Sequence, residues 1–253
     1  MNSTLIGLVT LACIVAGYAL GLYLTFRLPG HHLSGDSRDT VKLIIGVIGT
    51  VTGVCLGLLV ASAKHSYDAK VDSLDRIAAD IIILDRALAH YGAEASGLRD
   101  RLRSATEHKL RLLWSADALK VGNMEGAGAT GSIESFQDAL LALRPATDTQ
   151  RAIHARATAI GNELGAIRWQ VFVRSCSAIP LAFLMVLVFW QTAMFAGLGL
   201  VASRNTTNGA AIAVGAVSLA AAIFLILELD TPYEGVIRIS DAPLRLAIEQ
   251  LGK

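Results

Sequence analysis

Two carboxylates, Glu228 and Asp230, stand directly after a long apolar stretch that begins at Asn208. Carboxylates at membrane depth are costly to bury and often mark an ion pathway. At the end of a span, where water reaches them, the same side chains could instead cap a helix or pair with a basic residue such as Arg238. We favour the interfacial cap or ion pair and keep an ion pathway as the alternative.

A second set of residues is set apart by small size. At about 100° per residue, the four glycines of the stretch Leu43 to Ala63 fall within an arc of about 80°. Spans associate in lipid where small residues let two backbones approach. This stripe predicts helix packing inside one subunit or, alternatively, packing around a symmetry axis that lines a pore. The stripe consists of Gly46, Gly49, Thr50, Gly53, Gly57 and Ala61.

A third set carries charge. Asp72, Arg76 and Asp80 follow one another at i, i+4 and i+8, a spacing that favours ion pairs on one helix face. Asp80 and Asp85 flank the apolar run 81–84, and Arg86 comes next. We therefore predict that these five residues form structural charge pairs, some of them buried between helices.

Several kinds of function are disfavoured. The sequence lacks a phosphate-binding glycine loop after a strand, a G-x-S-x-G elbow, an H-E-x-x-H pair and a C-x-x-C pair, so we expect neither an enzyme nor a cofactor. His31 and His32 could fold around an ion with nearby aspartates, but a solvated loop is favoured and no metal site is predicted. The net charge of +1 gives no reason to expect nucleic acid.

The elements that carry these residues are membrane-spanning helices. Of the 253 residues 53% are hydrophobic and 17% are charged, a composition typical of a membrane protein. Four stretches reach the length of about 20 residues that a bilayer requires. We therefore predict an all-α chain with spans at about 5–26, 43–63, 175–203 and 208–229.

The domain organisation follows from these spans. Residues 1–63 and 175–229 hold two helix pairs, and 64–174 form a polar helical domain between them. Apolar residues repeat every three or four positions along Leu74–Tyr91 and Ile153–Val171, which predicts two helices packed along a seam. The second span should continue to Tyr91 as one helix, and 121–132 should be a loop. Residues 230–253 contain a short amphipathic helix that lies on the membrane or packs on the polar domain.

Orientation is predicted from basic residues. More Lys and Arg residues flank the spans on the side of the polar domain than on the other side. Basic residues favour the cytoplasmic side, so both termini and the polar domain are predicted to be cytoplasmic.

Several motifs together resemble one family. The segments RLPGHH, LGLLVASAKHSYD, AADIIILDRALAHYG, FWQTAMFAGLGL and FLILELDTPYEGVIRISDAPLR are similar to bacterial bestrophin-like membrane proteins. The resemblance implies a four-span subunit of a pentameric anion channel in the bacterial inner membrane, lined by the second span. The bulky Ile/Phe neck of true bestrophins is replaced there by glycines. The alternative is a non-conducting scaffold or sensor whose polar domain binds a cytoplasmic protein.

Overall fold

The computed structural model describes residues 3–29, 35–114, 128–175, 180–203, 205–231 and 235–253. Within these ranges the regular structure is entirely helical, so the predicted all-α class is confirmed. A short 3-10 turn, Ala93–Ala95, precedes the third helix. The helices are α1 Ser3–Arg27, α2 Gly35–Tyr91, α3 Ser96–Trp114, α4 Gly128–Leu141, α5 Asp148–Ser175, α6 Leu181–Val201, α7 Thr206–Asp230 and α8 Ala242–Gln250.

Four of the described helices, α1, α2, α6 and α7, are long and apolar enough to cross a membrane. The second span continues to Tyr91 as one helix of 57 residues, as predicted. The third span begins at Leu181 rather than at 175, and Pro180, whose ψ of 127° is extended, stands at its N-cap.

Two starting points differ from the sequence prediction. Helix α2 begins at Gly35, well before Leu43, with Asp36 in its first turn where a carboxylate favours the helix N-terminus. Helix α7 begins at Thr206 because the Asn205 side chain caps it, accepting a hydrogen bond of 2.8 Å from the Asn208 N–H. The loop between α1 and α2 is therefore shorter than predicted, whereas the loop between α6 and α7 is displaced by two residues at unchanged length.

The chain divides into two compact units. The membrane unit comprises Met1–Tyr67 and Ala178–Ile237, and the polar unit comprises Asp68–Ser177 and Arg238–Lys253. In the membrane unit, one buried cluster joins α2, α6 and α7 through residues such as Leu56, Leu187 and Ile223. A smaller cluster joins α1, α6 and α7, and consists of Ile14, Phe195 and Ala216.

Two contacts set the register of α2 and α5 within the polar unit. Arg76 of α2 pairs with Glu163 of α5, and Gln150 Nε2 donates to the Tyr91 carbonyl over 3.2 Å. Between the two contacts, the residue number rises from 76 to 91 along α2 and falls from 163 to 150 along α5. The two helices therefore pack antiparallel. The apolar seam between them includes the buried Leu84, Leu88 and Ala157.

The remaining helices of the polar unit cover this pair. Helix α4 begins at Gly128, inside the segment 121–132 that was predicted to be a loop, and that part of the prediction is wrong. Gln137, in the middle of α4, donates to the Gly161 carbonyl of α5 over 3.1 Å, so α4 packs on α5. Helix α8 packs on α3 and buries Leu244 and Ala247, which selects packing within the polar unit over the membrane surface.

Candidate functional site

The stripe on α2 is largely uncovered in the single chain. Gly46, Thr50, Gly53, Gly57 and Ala61 are exposed, and only Gly49 is partly buried. A Cβ atom placed at Gly46, Gly53 or Gly57 would meet no atom within 4 Å. At Gly49 the nearest atom is the Met194 Sδ of α6, at 3.4 Å. Apart from this edge contact, the stripe packs against no other span within the described ranges.

The packed face of α2 is narrow and lies beside the stripe. Thr52, Leu56 and Ala63 are buried against α6 and α7, and Cys55, Leu59 and Val60 are partly buried there. Of the large residues that project opposite the glycines, Ile44, Val51 and Leu58 are exposed, whereas Ile48 and Cys55 are partly buried. Burial therefore covers only about a third of the helix circumference at about 100° per residue.

The two exposed flanks of α2 differ in chemistry. Projected at about 100° per residue, the stripe occupies one flank and large apolar residues occupy the other. The large residues are 43–67% exposed and comprise Ile44, Val47, Val51, Val54 and Leu58. Large flexible side chains suit lipid tails, whereas a glycine flank lets another backbone approach. At the N-terminal end of α2, an exposed ion pair joins Lys42 Nζ to Asp39 Oδ1 over 2.7 Å.

Glu228 is buried rather than exposed to water at an interface. The side chain is 1% exposed, and its Oε2 accepts hydrogen bonds from the N–H groups of Val236 and Ile237, at 2.7 and 3.3 Å. Gly235 has a positive φ of 86°, and a Cβ there would lie 2.7 Å from Oε1. The carboxylate thus caps the backbone that follows α7. Asp230, the last residue of α7, is partly buried, and an ion-pathway role for either side chain stays a prediction.

The charged candidates separate into buried and exposed groups. Asp85 is 1% exposed and pairs with Arg99, while Arg86 is exposed and donates to the Lys253 carbonyl over 3.0 Å. Burial alone would raise the pKa of Asp85. Hydrogen bonds from Arg99 and from the Gly252 N–H, together with the guanidinium charge, instead hold the pKa below its ordinary value.

The other charged candidates do not form the predicted pairs along one helix. Arg76 pairs with Glu163 of α5, and Asp72 is exposed. Asp80 is partly buried, and its Oδ2 has no hydrogen-bond partner in the described part of the chain. Burial, followed by the nearby Glu163 charge, raises the pKa of Asp80, and the Arg76 charge offsets only part of that effect.

Metal binding finds no support in the described ranges. They contain no group of three or more His, Cys, Asp or Glu side chains that could hold an ion. His31 and His32 lie outside those ranges.

A close backbone contact between α1 and α6 was not predicted. Gly17 and Gly21 of α1 lie against the carbonyls of Thr192 and Ala196 on α6, and a Cβ at Gly17 would lie 2.5 Å from the Thr192 oxygen. Gly199 of α6 lies against the α1 backbone in the same way. The G-x-x-x-G spacing of residues 17 and 21 is the sequence signal that could have indicated this contact.

Comparisons with known proteins address the family and the fold. Residues 12–244 match the bestrophin-like domain. No curated protein matches the chain.

Solved structures share the fold at low sequence identity. A mutant of a bacterial bestrophin homologue from Klebsiella pneumoniae is 12% identical, with a TM-score of 0.65 over 99% of this chain and 98% of that one. A second mutant of a bestrophin homologue from that organism is 13% identical, with a TM-score of 0.64 over 99% and 98% of the two chains. A structure described as a membrane protein is 12% identical, with a TM-score of 0.67 over 99% and 97%. Because the domain match covers most of its length, the chain belongs to the bestrophin-like family.

Proposed function

We propose that this chain is one subunit of a homo-oligomeric membrane channel for anions, with the stripe on α2 turned toward the other copies and the pore. The observation that carries the proposal is the exposure of the stripe in the single chain. Family membership and the fold shared with bacterial bestrophin homologues support it. A ring of five copies is the arrangement that the resemblance implies.

The stripe favours contact with other copies over contact with lipid. Glycine costs a helix about 1 kcal/mol relative to alanine. On a lipid-facing flank nothing would offset that cost, whereas close packing of two backbones would. The large residues of the other flank, including Val54 and Leu58, suit a lipid-facing position.

The full chain in liposomes tests conduction. We expect the purified protein to have the mass of a closed oligomer and to release trapped chloride from vesicles faster than protein-free vesicles do. Potassium release measured in parallel reports the preference for anions. A monomer, or an oligomer that leaves chloride trapped, would contradict the proposal. The impermeable oligomer would favour a scaffold or sensor whose polar unit binds a cytoplasmic protein.

The proposal also places the polar unit and both termini in the cytoplasm of a bacterial inner membrane. Single cysteines at Ser104, in the polar unit, and at Thr207, in the first turn of α7, test this orientation once the native cysteines are replaced. Both positions are exposed. A membrane-impermeant maleimide added to whole cells should label only the cysteine at 207. Labelling of the cysteine at 104 alone would reverse the orientation.

A further inference from the structure

Two of the buried polar side chains in the membrane unit, Thr52 and Gln191, stand out because their polar atoms are unsatisfied among the described residues. Thr52 of α2 is 1% exposed and Gln191 of α6 is 0% exposed. Thr52 Oγ1 and both amide atoms of Gln191 have no hydrogen-bond partner in the part of the chain that the structure describes. Gln191 stands halfway along α6, a helix of membrane-spanning length, where an unsatisfied amide costs several kcal/mol.

The register of α2 and α6 brings the two residues to one level. On one side, Gly49 lies against Met194, with Sδ 3.4 Å from the position of a Cβ. On the other side, Leu56 and Leu187 belong to the same buried cluster. The helices run antiparallel, so three steps from Gly49 toward Leu56 match three steps from Met194 toward Leu187. Those steps lead to Thr52 and Gln191.

Neighbouring hydroxyls show why Thr52 is unusual. Thr50 donates to the Gly46 carbonyl over 2.9 Å, and Thr192 donates to the Val188 carbonyl over 2.7 Å. A threonine in a helix commonly satisfies its hydroxyl in this way, four residues back. Thr52 makes no such bond and is buried at the level of a second unsatisfied side chain, which points to a ligand that both side chains share.

The chemistry of the unsatisfied atoms selects the ligand. The Gln191 amide offers a donor and an acceptor, and the Thr52 hydroxyl can act as either. An anion would leave the amide oxygen unsatisfied, and a cation would leave the amide N–H groups unsatisfied. Water both donates and accepts, and a buried water typically makes about three hydrogen bonds. We propose that Thr52 and Gln191 form a buried site for ordered water between α2 and α6.

Such a site would also fix the rotation of α2. The polar contact lies on the packed face of the helix, beside the exposed stripe. Turning α2 about its axis would remove Thr52 from the water and leave the Gln191 amide unsatisfied. Bound water therefore favours the rotational orientation of α2 in which most of the stripe faces away from α6.

A density map of the full-length wild-type protein at a resolution that shows water is the first test. We expect a peak within hydrogen-bond distance of both Thr52 Oγ1 and the Gln191 amide. A direct hydrogen bond between the two side chains would overturn the proposal. So would a contact without density between them.

A double-mutant cycle in detergent is the second test. We expect Thr52→Val and Gln191→Leu each to lower the melting temperature. The melting temperature of the double variant should fall by less than the sum of the two single decreases. Either substitution alone already removes the bound water, so the second has no water left to release. Thr192→Val is the matched control and should melt close to wild type. The proposal would be overturned if the single variants melted at or above the wild-type temperature. It would also be overturned if the decrease for the double variant equalled the sum of the two single decreases.

Discussion

Asp85 and Arg99 form a two-point ion pair in the polar unit, with Arg99 Nε 2.7 Å from Oδ1 and Nη2 2.9 Å from Oδ2. They lie equally far in sequence from Gly92, where a positive φ of 124° ends α2 and turns the chain back into α3. The Gly252 N–H donates to the same carboxylate over 3.3 Å. One buried aspartate thus joins α2, α3 and the segment after α8.

Asp85→Asn should destabilise the polar unit. The change keeps the shape of the side chain but leaves the mostly buried Arg99 guanidinium without its counter-charge. Breaking a buried pair by neutralising one partner costs about 3 kcal/mol or more. Chemical unfolding of the full chain in detergent measures the loss. Glu107→Gln, which breaks the exposed pair between Arg103 and Glu107, is the control and should cost less than about 1 kcal/mol.

The difference between wild type and Asp85→Asn should depend on pH. The pKa of Asp85 is lowered in the folded protein, so its stabilising contribution is fully present above the unfolded pKa of about 3.9. It is lost as the pH falls below that value through the folded pKa. Unfolding measured from pH 7 downward should show the two proteins converging only in that acidic window. If the stability difference between the two proteins vanished near neutral pH instead, the pKa of Asp85 would not be lowered as described.

Asp80→Asn should have the opposite effect on stability at neutral pH from Asp85→Asn. Burial and the Glu163 charge raise the pKa of Asp80, so its ionised form opposes folding at neutral pH. The variant should therefore be as stable as wild type or more stable at pH 7. As the pH falls through the folded pKa toward the ordinary value of about 3.9, the stability of the wild type should rise relative to that of the variant. A variant less stable than wild type at pH 7 would mean that the carboxylate supports the fold.

Patterns confined to one helix predicted the fold well. The 3-4 spacing of apolar residues in α2 and α5 is set by helix geometry alone, so it indicated the seam before any partner was known. The start of the third span was placed at 175 rather than at Leu181, because residues 175–180 are uncharged and composition alone does not locate the first residue of a helix. The helix start at Gly128 was missed because glycines indicate a loop unless a neighbour such as α5 stabilises the helix.

The candidate site was harder to predict, because it depends on which face each helix presents to its neighbours. Periodicity divided α2 into a small face and a large face, but the packed face lies beside both of them, along Thr52 and Leu56. Burial of that strip is decided by α6 and α7, which are distant in sequence. Arg99 was missed for a similar reason, since only the turn at Gly92 brings it to Asp85.

Gly235→Ala should weaken the segment that follows α7. The residue has a positive φ of 86°, which costs a non-glycine residue about 1 kcal/mol, and the new Cβ would also clash with the buried Glu228 carboxylate. Gly252→Ala is the matched control, because φ is 88° there and the nearest atom to a Cβ is 3.8 Å away. Thermal unfolding should show a larger loss for Gly235→Ala. Equal losses would mean that the carboxylate moves aside freely.

Gly53→Leu should disrupt the oligomer while leaving the subunit folded. A Cβ at this position meets nothing within 4 Å in the single chain, so the leucine has room there and improves helix propensity by about 1 kcal/mol. Against a closely packed neighbouring copy, the same side chain must push the backbones apart, which costs about 1 to 3 kcal/mol at each contact. Native mass in detergent should therefore fall toward that of a monomer, with helix content unchanged.

Gly209→Leu is the matched control for that experiment. Gly209 also lies exposed in the membrane unit, and a Cβ there meets nothing within 4 Å, but the residue is on α7 and not in the stripe. The same chemical change at 209 should leave the oligomer intact. If both variants keep the wild-type mass, the stripe contacts no other copy and the proposed pore loses its structural support. If Gly53→Leu alone dissociates, the interface lies along α2, and the variant should also lose chloride release in vesicles.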